Sequence, residues 1–596
     1  MMRVFHYFLL LGCFGTQMLF GQSFKVHSHN DYLQPVPFWG AYANGVHSIE
    51  IDVILKQDVL YVAHDEEHIR TERTLQSLYL DPLVKMKSLQ LENGRSLQLL
   101  VDIKTEPYST MQRLVAVLEQ YPRIVEDDSI TVVISGNRPK MTDYVNYPDF
   151  IAFDHQSLNE PENHVSWNKV ALISLNFKKF TTWNGKGRLT AKDHETISNV
   201  IRKAHAHGKP FRFWAVPDSK TAWKAMVDLG VDFVNTDMPY ACTAYLNTLA
   251  LRVHKNEQVS EVYVPHYKND GKETEVENII LLVGDGNGLA QISAAVLANG
   301  GKLTLTQFKS LGLLKTQSAD DFTTDSAAAA SALATGVKTN NRALGVNAAG
   351  RSVKNLTEIL YDIGFVTGVI TTDDLTGATP SAFYAHRKDR ADTEGIQDDL
   401  LNSKLNLLIG GGTESLAKEL SNKGFTVERQ REAVARQTGE RVAHFFAYGG
   451  VPSVLSGRGP VLAEATKSGL AYLKSKKSPF FLVVEASKID TYGHFNDVGG
   501  IVSEGIDFDR AITEAVKYAD ATENTLVIVT ADHETGGFTI PQGNMEQGVI
   551  EGDFTTEDHT GVMVPIFAYG PRSHEFMGVY DNYSIFDKIL KVLNLD

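Results

Sequence analysis

Cysteine is almost absent from this sequence: its 596 residues include only two, Cys13 and Cys242. Cys13 lies in an apolar run that follows Arg3, and residues 1–21 have the basic start, apolar centre and small residues of a secretory signal peptide. Removal of that segment would leave Cys242 alone, so no intramolecular disulfide could form. We expect a secreted or periplasmic protein. A lipoprotein anchor at Cys13 is less favoured, because the apolar run continues beyond that residue.

Positive charge is also scarce, since 57 lysine and arginine residues stand against 72 aspartate and glutamate residues, for a net charge of −15. A duplex nucleic acid requires a basic face, so no nucleic-acid partner is expected. Small anionic substrates remain compatible, because a buried metal ion can reverse the local field. The sequence has no second long apolar run, and Gly and Gln residues interrupt the first, so we predict no stable membrane span.

The chain is too long for one ordinary core, and its first half alternates short β-rich runs with helical segments. Over residues 22–250 this alternation predicts a parallel (β/α)8 TIM-type barrel. The predicted strands are Phe24–His27, His47–Val53, Val59–Ala63, Gln98–Ile103, Ile130–Ile134, Phe150–Phe153, Val170–Ser174, Phe211–Val216 and Val231–Asn235. A polar stretch, residues 251–276, follows as a predicted linker.

A second α/β pattern occupies residues 277–596, where short apolar runs are separated by long helical or loop stretches. This spacing is typical of an open, doubly wound sheet. The predicted strands are Asn278–Val283, Phe365–Thr371, Leu405–Ile409, Phe480–Glu485, Leu526–Thr530 and Val564–Ala568. The fold class is therefore α/β throughout, with two domains.

Acidic and histidine residues follow the strands of this second domain, where α/β folds place their sites. The set comprises Asp285, Glu485, Asp490, His494, Asp532, His533 and His559. Mixed carboxylate and imidazole ligands suit zinc, whereas an all-oxygen set suits magnesium. Any one of these residues alone could be a surface carboxylate or a satisfied histidine, but so many at strand ends indicate a metal site.

Ser326 is expected to open a helix, because Asp325 is a good N-cap and a run of alanines follows. The N-terminus of a helix presents free N–H groups and a positive dipole end to a phosphate. Taken alone, the motif could be an ordinary capped, alanine-rich helix.

Together these residues resemble the alkaline phosphatases over nearly all of residues 277–596. The matching motifs are Gly-Asp-Gly-Asn-Gly (284–288), Thr-Asp-Ser-Ala-Ala-Ala-Ala-Ser-Ala-Leu-Ala-Thr-Gly-Val-Lys (324–338), Ala-Thr-Pro (378–380), Val-Glu-Ala-Ser-Lys-Ile-Asp (484–490), Ala-Asp-His-Glu-Thr-Gly-Gly (531–537) and Asp-His-Thr-Gly (558–561). The resemblance implies a phosphomonoesterase in which Ser326 is the nucleophile of an in-line displacement supported by two metal ions.

The resemblance also implies the ligand sets. One zinc would be held by Asp490, His494 and His559, the second by Asp285, Asp532 and His533, and a magnesium ion by Asp285, Thr379 and Glu485, while Arg390 would clamp the phosphate. Two positions depart from the family. Gly377 stands where members often carry Asp or His beside the magnesium, and Thr491 replaces a larger residue.

The barrel has its own candidate site. Glu50 and Asp52 are two residues apart on a strand, so their side chains leave the same face, and Asp102 and Lys104 share a face at the end of another strand. Carboxylates that converge inside a barrel require a cation between them. The alternative is that these are ordinary barrel residues and that Lys104 only neutralises the acids.

These residues resemble the glycerophosphodiester phosphodiesterases and the wider phosphatidylinositol phospholipase C-like barrels, over about residues 24–246. The motifs are Ser-His-Asn-Asp-Tyr (28–32), Glu-Ile-Asp-Val (50–53), His-Asp (64–65), Asp-Ile-Lys (102–104), Phe-Trp-Ala-Val (213–216) and Gly-Val-Asp-Phe-Val-Asn-Thr-Asp-Met-Pro (230–239). The resemblance implies that His29, rather than His27, and His64 are the acid–base pair. Glu50, Asp52 and Asp102 would bind Ca²⁺ or Mg²⁺, and Lys104 would face the phosphate. Asn30 and Asp102 stand where the family usually has Arg and Glu.

The leading hypothesis is a bifunctional secreted phosphohydrolase. The barrel would cleave phospholipid head-group diesters to phosphomonoesters, and the second domain would release phosphate from these small esters. Alternatively, the barrel is a non-catalytic binding or docking module on an active phosphatase. A third possibility makes the second domain a phosphodiesterase or sulfatase, which Arg390 and the full three-metal set disfavour.

Overall fold

The computed structural model describes residues 24–91, 94–159 and 164–595. The predicted signal peptide, residues 1–21, lies outside this part of the chain. The described residues form two compact units, which meet in sequence between Thr248 and Leu249. Each is an α/β unit of the predicted class.

The N-terminal unit is a closed barrel of parallel strands, with one further strand forming a hairpin on its second member. Strand β1 pairs in parallel with both β2 and β9, and this pairing closes the sheet. The strands are β1 Lys25–Ser28, β2 Ser48–Lys56, β3 Val59–Val62, β4 Leu97–Ile103, β5 Ile130–Gly136, β6 Ile151–His155, β7 Val170–Asn176, β8 Phe211–Trp214 and β9 Phe233–Thr236. The predicted (β/α)8 barrel is confirmed.

Helices connect the barrel strands and pack their apolar side against them. In the longest, Thr190 caps the N-terminus by accepting a hydrogen bond from the Asp193 amide, and Ile197, Val200, Ile201 and Ala204 are buried. The helices of this unit are α1 Trp39–Ala43, α2 Asp81–Ser88, α3 Pro107–Leu118, α4 Pro122–Val125, α5 His164–Trp167, α6 Ala191–Ala206, α7 Lys220–Leu229 and α8 Pro239–Leu246.

The C-terminal unit is built on a ten-stranded sheet of order β15-β16-β14-β13-β17-β11-β18-β23-β12-β24. It is parallel except at β23, which runs antiparallel to β18 and β12. The strands of the unit are β10 Val253–Lys255, β11 Asn278–Gly284, β12 Ser310–Lys315, β13 Val366–Asp374, β14 Leu407–Gly412, β15 Thr426–Glu428, β16 Val442–Tyr448, β17 Phe480–Ala486, β18 Thr525–Ala531, β19 Glu534–Thr535, β20 Thr539–Asn544, β21 Val549–Asp553, β22 His559–Thr560, β23 Val564–Tyr569 and β24 Gly578–Asp581.

Helices cover both faces of this sheet, as in a doubly wound fold. Along β11, Ile279 and Leu281 join the apolar cluster on one face, and Ile280 and Leu282 join the cluster on the other. The strand is therefore a continuous apolar run, as expected for a strand buried on both faces. The helices are α9 Leu249–Arg252, α10 Leu289–Ala298, α11 Ser326–Thr335, α12 Leu356–Asp362, α13 Ala378–Ser381, α14 Thr393–Asn402, α15 Glu414–Asn422, α16 Arg431–Val434, α17 Val461–Ser475, α18 Lys488–His494, α19 Val498–Thr522 and α20 Ser584–Val592.

The polar stretch expected to be a linker carries more structure than its composition indicates. Strand β10 pairs antiparallel with β21, and the amide of Tyr267 donates a hydrogen bond to the hydroxyl of Tyr569. Residues 253–267 thus belong to the C-terminal unit. Across the described residues of both units, no helix combines the length and apolar character needed to cross a bilayer.

Candidate active sites of the two units

Three central strands of the C-terminal sheet end at the same level. Gly284 of β11 lies opposite both Ala486 of β17 and Ala531 of β18. Asp285 and Asp532 follow β11 and β18 directly, Glu485 is the penultimate residue of β17, and Asp490 comes four residues after that strand ends. The parallel register therefore brings together side chains that are distant in sequence, at the edge where α/β sheets bind ligands.

The first cluster consists of Asp490, His494 and His559, whose ligand atoms all lie within 4.8 Å of one another. Asp490 and His494 are four residues apart on α18, so they share a face of that helix. The Nε2 atoms of the two histidines are 3.2 Å apart, and they lie 3.3 and 3.4 Å from the Asp490 carboxylate.

The opposite ring nitrogens fix the orientation of these two histidines. Nδ1 of His494 lies 2.6 Å from the carbonyl oxygen of Glu557, and Nδ1 of His559 lies 2.8 Å from that of Thr324. Because each Nδ1 donates its proton to a carbonyl, each Nε2 faces the other histidine and the Asp490 carboxylate. That arrangement suits a bound cation, and a carbonyl partner on the far nitrogen is typical of metal-ligating histidines.

The second cluster surrounds His533, which is fully buried. Its Nε2 lies 3.5 Å from Oδ1 of Asp285 and 3.3 Å from Oδ2 of Asp532. Neither of those buried oxygens accepts a hydrogen bond from any described residue. Burial, with the neighbouring His559, lowers the pKa of His533 to about 3, so the ring is neutral and free to bind a metal.

The third predicted set places Glu485 in register with Thr371 of β13, whose hydroxyl donates to the carboxylate Oε2. Burial, together with the nearby carboxylate of Asp373, raises the pKa of Glu485 to about 8. Burial also raises the pKa of Asp285 well above its usual range, with contributions from surrounding carboxylates that include Glu485. Thr379 is buried in the short helix α13. The set is therefore oxygen-only and acidic, as Mg²⁺ prefers.

Ser326 is the first residue of α11, as predicted. Asp325 caps the helix by accepting a hydrogen bond of 2.9 Å from the Ala328 amide, and its other oxygen lies 3.4 Å from Nη1 of Arg390. The Ser326 hydroxyl oxygen is 3.2 Å from Nε2 of His533. The predicted nucleophile thus lies at a helix N-terminus, against a predicted metal ligand and near the predicted phosphate-binding arginine.

In the barrel, Glu50, Asp52 and Asp102 form another group whose ligand atoms lie within 4.8 Å of one another. Asp52 of β2 is directly opposite Asp102 of β4, so the register of the barrel explains their approach. His64 Nδ1 is 2.8 Å from Oδ2 of Asp52, and His29 Nε2 is 3.7 Å from Oε1 of Glu50. Both predicted acid–base histidines therefore border the carboxylate cluster.

Basic side chains already contact these barrel carboxylates. Lys104 Nζ lies 3.0 Å from Asp52 and 2.9 Å from Asp102. Arg212 Nη1 lies 2.7 Å from Oε2 of Glu50. Burial raises the pKa of Glu50, but Arg212 and the hydrogen bond from His27 outweigh it and lower the net value. Lys104 thus neutralises two of the acids in this structure.

Sequence reasoning missed several partners. Oδ1 of Asp237 lies 2.6 Å from Nδ1 of His29. Asp237 belongs to the motif 230–239, but its pairing with His29 was not predicted. His27 is buried between Ser48 and Glu50, which makes it a structural residue. Nothing in the sequence indicated a role for Arg212 or Asp373, because an arginine in a strand and an acid at a strand end are both common.

Known proteins are similar to each of the two units. The alkaline phosphatase family model matches residues 276–552. Alkaline phosphatase 4 of Bacillus subtilis is 31% identical over 412 aligned positions, which cover 54% of this chain and 89% of that protein. The chain belongs to the alkaline phosphatase family. This membership confirms the resemblance and makes the C-terminal unit a metal-dependent phosphohydrolase.

Further relatives point the same way. Streptomycin-6-phosphate phosphatase of Streptomyces griseus is 31% identical over 53% of this chain and 90% of its own length. The alkaline phosphatase of the Antarctic bacterium TAB5 has 38% identity and a TM-score of 0.51, covering 54% of this chain and all of that structure. A variant of that enzyme is described with Mg bound in the M3 site. The alkaline phosphatase domain therefore accounts for about half of the present chain.

The N-terminal unit matches two phosphodiesterase family models. The AIM6-like phosphodiesterase domain matches residues 21–93, and the glycerophosphoryl diester phosphodiesterase family matches residues 210–240. The first range contains His29, Glu50, Asp52 and His64, and the second contains Asp237. The chain is therefore a phosphodiesterase-like barrel joined to an alkaline phosphatase domain.

Proposed function

We propose that the C-terminal unit hydrolyses phosphomonoesters through a covalent phosphoserine at Ser326. The observation that carries the proposal is the position of the Ser326 hydroxyl, 3.2 Å from Nε2 of His533 and at the N-terminus of α11. A serine hydroxyl is a weak nucleophile and needs activation, but His533 lacks the geometry of a triad base, because its Nδ1 faces the hydroxyl of Thr535 and not a carboxylate. His533 would instead act as a metal ligand.

The side chains fit the metals that the family implies. The two clusters that contain histidine suit zinc, and the all-oxygen set of Asp285, Thr379 and Glu485 suits magnesium. The unpartnered buried oxygens of Asp285 and Asp532 support this assignment, since buried carboxylates are costly without a cation. When bound, these ions would supply charge stabilisation for the nucleophile, the transferred phosphoryl group and the leaving oxygen.

The protein's own groups then have distinct tasks. Ser326 Oγ loses its proton to solvent and forms the new bond to phosphorus, while the bond to the leaving oxygen breaks and that oxygen takes up a proton. A water molecule later attacks phosphorus, the bond to Ser326 Oγ breaks, inorganic phosphate leaves, and the serine hydroxyl regains a proton. The free N–H groups at the start of α11 and the guanidinium of Arg390 bind the phosphoryl oxygens. Asp325 positions both of these phosphate-binding groups, because it caps α11 and also contacts Arg390. Burial of Asp285, Asp532 and His533 keeps bulk water from screening the charges beside Ser326.

Replacement of the nucleophile tests this proposal. Ser326→Ala is expected to abolish hydrolysis of nitrophenyl phosphate, because no other hydroxyl of the chain is proposed to attack. Ser331→Ala on the same helix is the matched control: its hydroxyl donates to the carbonyl of Ala343, outside the site, so activity should persist. Acid quenching with labelled substrate should trap phosphate on Ser326 of the wild type. A Ser326→Ala enzyme with wild-type rate, or label on another residue, would refute the mechanism.

We propose further that the barrel cleaves glycerophosphodiesters, with His29 and His64 as the acid–base pair around a Ca²⁺ or Mg²⁺ ion at Glu50, Asp52 and Asp102. Two observations support it: both histidines border the carboxylate cluster, and Oδ1 of Asp52 accepts no hydrogen bond from any described residue. The product would be a phosphomonoester, the substrate class of the second unit.

One observation favours the alternative of a non-catalytic barrel. Glu50 is contacted by both Arg212 and His27, which already compensate its charge. A metal ion would have to share this carboxylate with Arg212. A barrel used for binding rather than catalysis would tolerate this arrangement.

Hydrolysis of glycerophosphocholine distinguishes a catalytic barrel from a barrel used only for binding. With divalent metal supplied, the wild type should release inorganic phosphate, Ser326→Ala should accumulate glycerol phosphate, and His29→Ala should leave the diester intact. A docking barrel predicts an intact diester for all three proteins. Rates on nitrophenyl phosphate, bis-nitrophenyl phosphate and nitrophenyl sulfate would show whether the C-terminal unit prefers monoesters, as Arg390 predicts.

We also propose that both activities operate outside the cytoplasm, on the basis of the signal-like residues 1–21. Fractionation of a producing cell tests this proposal. Phosphatase activity should appear in the periplasmic or secreted fraction, and deletion of residues 2–21 should retain it in the cytoplasm.

A further inference from the structure

Gly377 precedes the predicted magnesium ligand Thr379 and lacks the side chain that relatives often carry at this position. Its backbone does not require glycine, because φ is −60° and ψ is 166°, a conformation that any L-residue adopts. The surrounding space does require it. A Cβ added there would lie 2.0 Å from Oδ2 of Asp373 and 2.7 Å from its Cγ. The carboxylate of Asp373 therefore fills the volume that a side chain at position 377 would occupy.

The chain attaches Asp373 to the same pair of strands that positions Glu485. Asp373 is the penultimate residue of β13, and its amide donates a hydrogen bond of 2.8 Å to Oγ1 of Thr371. The Thr371 hydroxyl in turn donates to Oε2 of Glu485, directly opposite in β17. Asp373 and Glu485 are thus linked through one threonine.

The charges around Asp373 point to a cation. Its near neighbours include two acids, Glu485 and Asp374, and two bases, Lys488 and Arg390. Arg390 is the residue proposed to bind phosphate, so it is not free to neutralise Asp373 during turnover. Together with Asp285, the carboxylates of Asp373 and Glu485 exceed the available positive charge, and buried acids without compensation are costly.

We propose that Asp373 replaces the missing side chain of residue 377 and completes the magnesium site, either as a ligand or by holding a water molecule of the ion. This inference rests on the proposed function, because the ion is the one implied for Asp285, Thr379 and Glu485. Asp373 acts through the ion and is a positioning residue. Asp373 precedes Gly377 in the sequence and Thr379 follows it, so the chain segments before and after the glycine would each contribute one side chain to the ion.

Magnesium binding to the zinc-loaded enzyme tests the proposal directly. Asp373→Asn keeps the shape but removes the charge, so the dissociation constant for Mg²⁺ in equilibrium dialysis should rise about 10- to 100-fold. Zinc content should stay at the wild-type level. Asp374→Asn is the matched control, since that carboxylate points instead toward Gly411 and should leave Mg²⁺ binding near the wild-type value.

Relocating the carboxylate provides a rescue. Gly377→Asp alone places its Cβ against Asp373 and should weaken Mg²⁺ binding, whereas the double variant Asp373→Ala, Gly377→Asp should recover it. The Mg²⁺-dependent increase in melting temperature gives a second readout. Wild-type Mg²⁺ affinity in Asp373→Asn, or no recovery in the double variant, overturns the proposal. A wild type that hydrolyses monoesters with zinc but binds no magnesium overturns it too, and leaves the phosphoserine mechanism intact.

Discussion

Asp237 contacts His29 in the barrel, and its role follows from one distance. Its Oδ1 lies 2.6 Å from Nδ1 of His29, which leaves the other ring nitrogen facing Glu50. If His29 is an acid–base catalyst, Asp237 fixes its tautomer and orientation. We predict that Asp237→Asn lowers diester cleavage by about tenfold or more, a fraction of what acid–base catalysis contributes. Choline release from glycerophosphocholine measures this rate.

A matched variant separates catalysis from general loss of an ion pair. His205 and Asp232 form another histidine–aspartate pair of the barrel, at 2.8 Å and away from the carboxylate cluster. His205→Gln should leave choline release at the wild-type rate. Both variants should retain nitrophenyl phosphate hydrolysis. Equal losses in the two variants would show that Asp237 acts only on stability.

Single residues were predictable where their chemistry is rare and unpredictable where it is ordinary. Ser326, capped by Asp325 and followed by alanines, could be placed at a helix N-terminus because capping and propensity are local. Arg212 and Asp373 could not be assigned. Arg212 matters because it contacts Glu50, and Asp373 because Thr371 links it to Glu485. Both connections exist only once distant strands pair.

At the scale of elements, α19 is a long helix with acids on its buried side. Glu504 and Asp507 each lie within hydrogen-bonding distance of Nη2 of Arg458, and all three side chains are almost fully buried. Burial raises the pKa of Asp507 to about 6, despite the attraction of Arg458. The helix therefore carries a carboxyl that binds its proton more tightly in the folded chain than in the unfolded chain.

The pH dependence follows from that sign. A carboxyl whose pKa rises on folding contributes most to stability below its unfolded pKa of 3.8, and this contribution is lost as pH rises toward about 6. The loss amounts to about 3 kcal/mol for Asp507. We predict that stability declines less steeply between these pH values in Asp507→Asn than in the wild type, as measured by urea unfolding.

An exposed acid provides the control for this pH series. Asp362 forms a surface pair with Lys354, so Asp362→Asn should reproduce the slope of the wild type. Metal uptake also depends on pH, but it is common to all three proteins and cancels in the comparison. Parallel curves for Asp507→Asn and the wild type would contradict the assignment.

The six central strands of the C-terminal sheet were predicted from the sequence, and the two outermost strands on each side were not. All six predicted strands of the C-terminal unit correspond to observed ones, β11, β13, β14, β17, β18 and β23. These are apolar runs, since both of their faces are buried. Edge strands such as β15 and β24 have three or four residues with little apolar pattern, and they form because a neighbouring strand offers free backbone groups.

At the scale of the whole chain, divalent metal should stabilise the phosphatase unit strongly. Its site holds buried acids, including Asp285, Glu485 and Asp532, that repel one another without cations. Metal at a thousandfold excess over its dissociation constant adds about 4 kcal/mol to the free energy of unfolding. We predict that chelation lowers the melting temperature of the C-terminal unit and that zinc restores it.

Calorimetry of the full chain measures this effect, and a variant of the first cluster provides the control. Asp490→Asn weakens the first zinc cluster, so its melting temperature should respond less to chelation than that of the wild type. A C-terminal transition that is indifferent to chelator in the wild type would contradict the metal assignment.

Strands β11, β17 and β18 end at the same level of the sheet. This arrangement also determines when the metal-binding clusters can form during synthesis of the chain. The ligands that gather there run from Asp285 to His559, so they span most of the second unit. Contacts between residues so far apart form late, because long loops must close first. A nascent chain that has not yet emerged as far as His559 cannot assemble the first zinc cluster. The phosphatase unit can therefore become active only after most of the chain has been synthesised and this unit has folded.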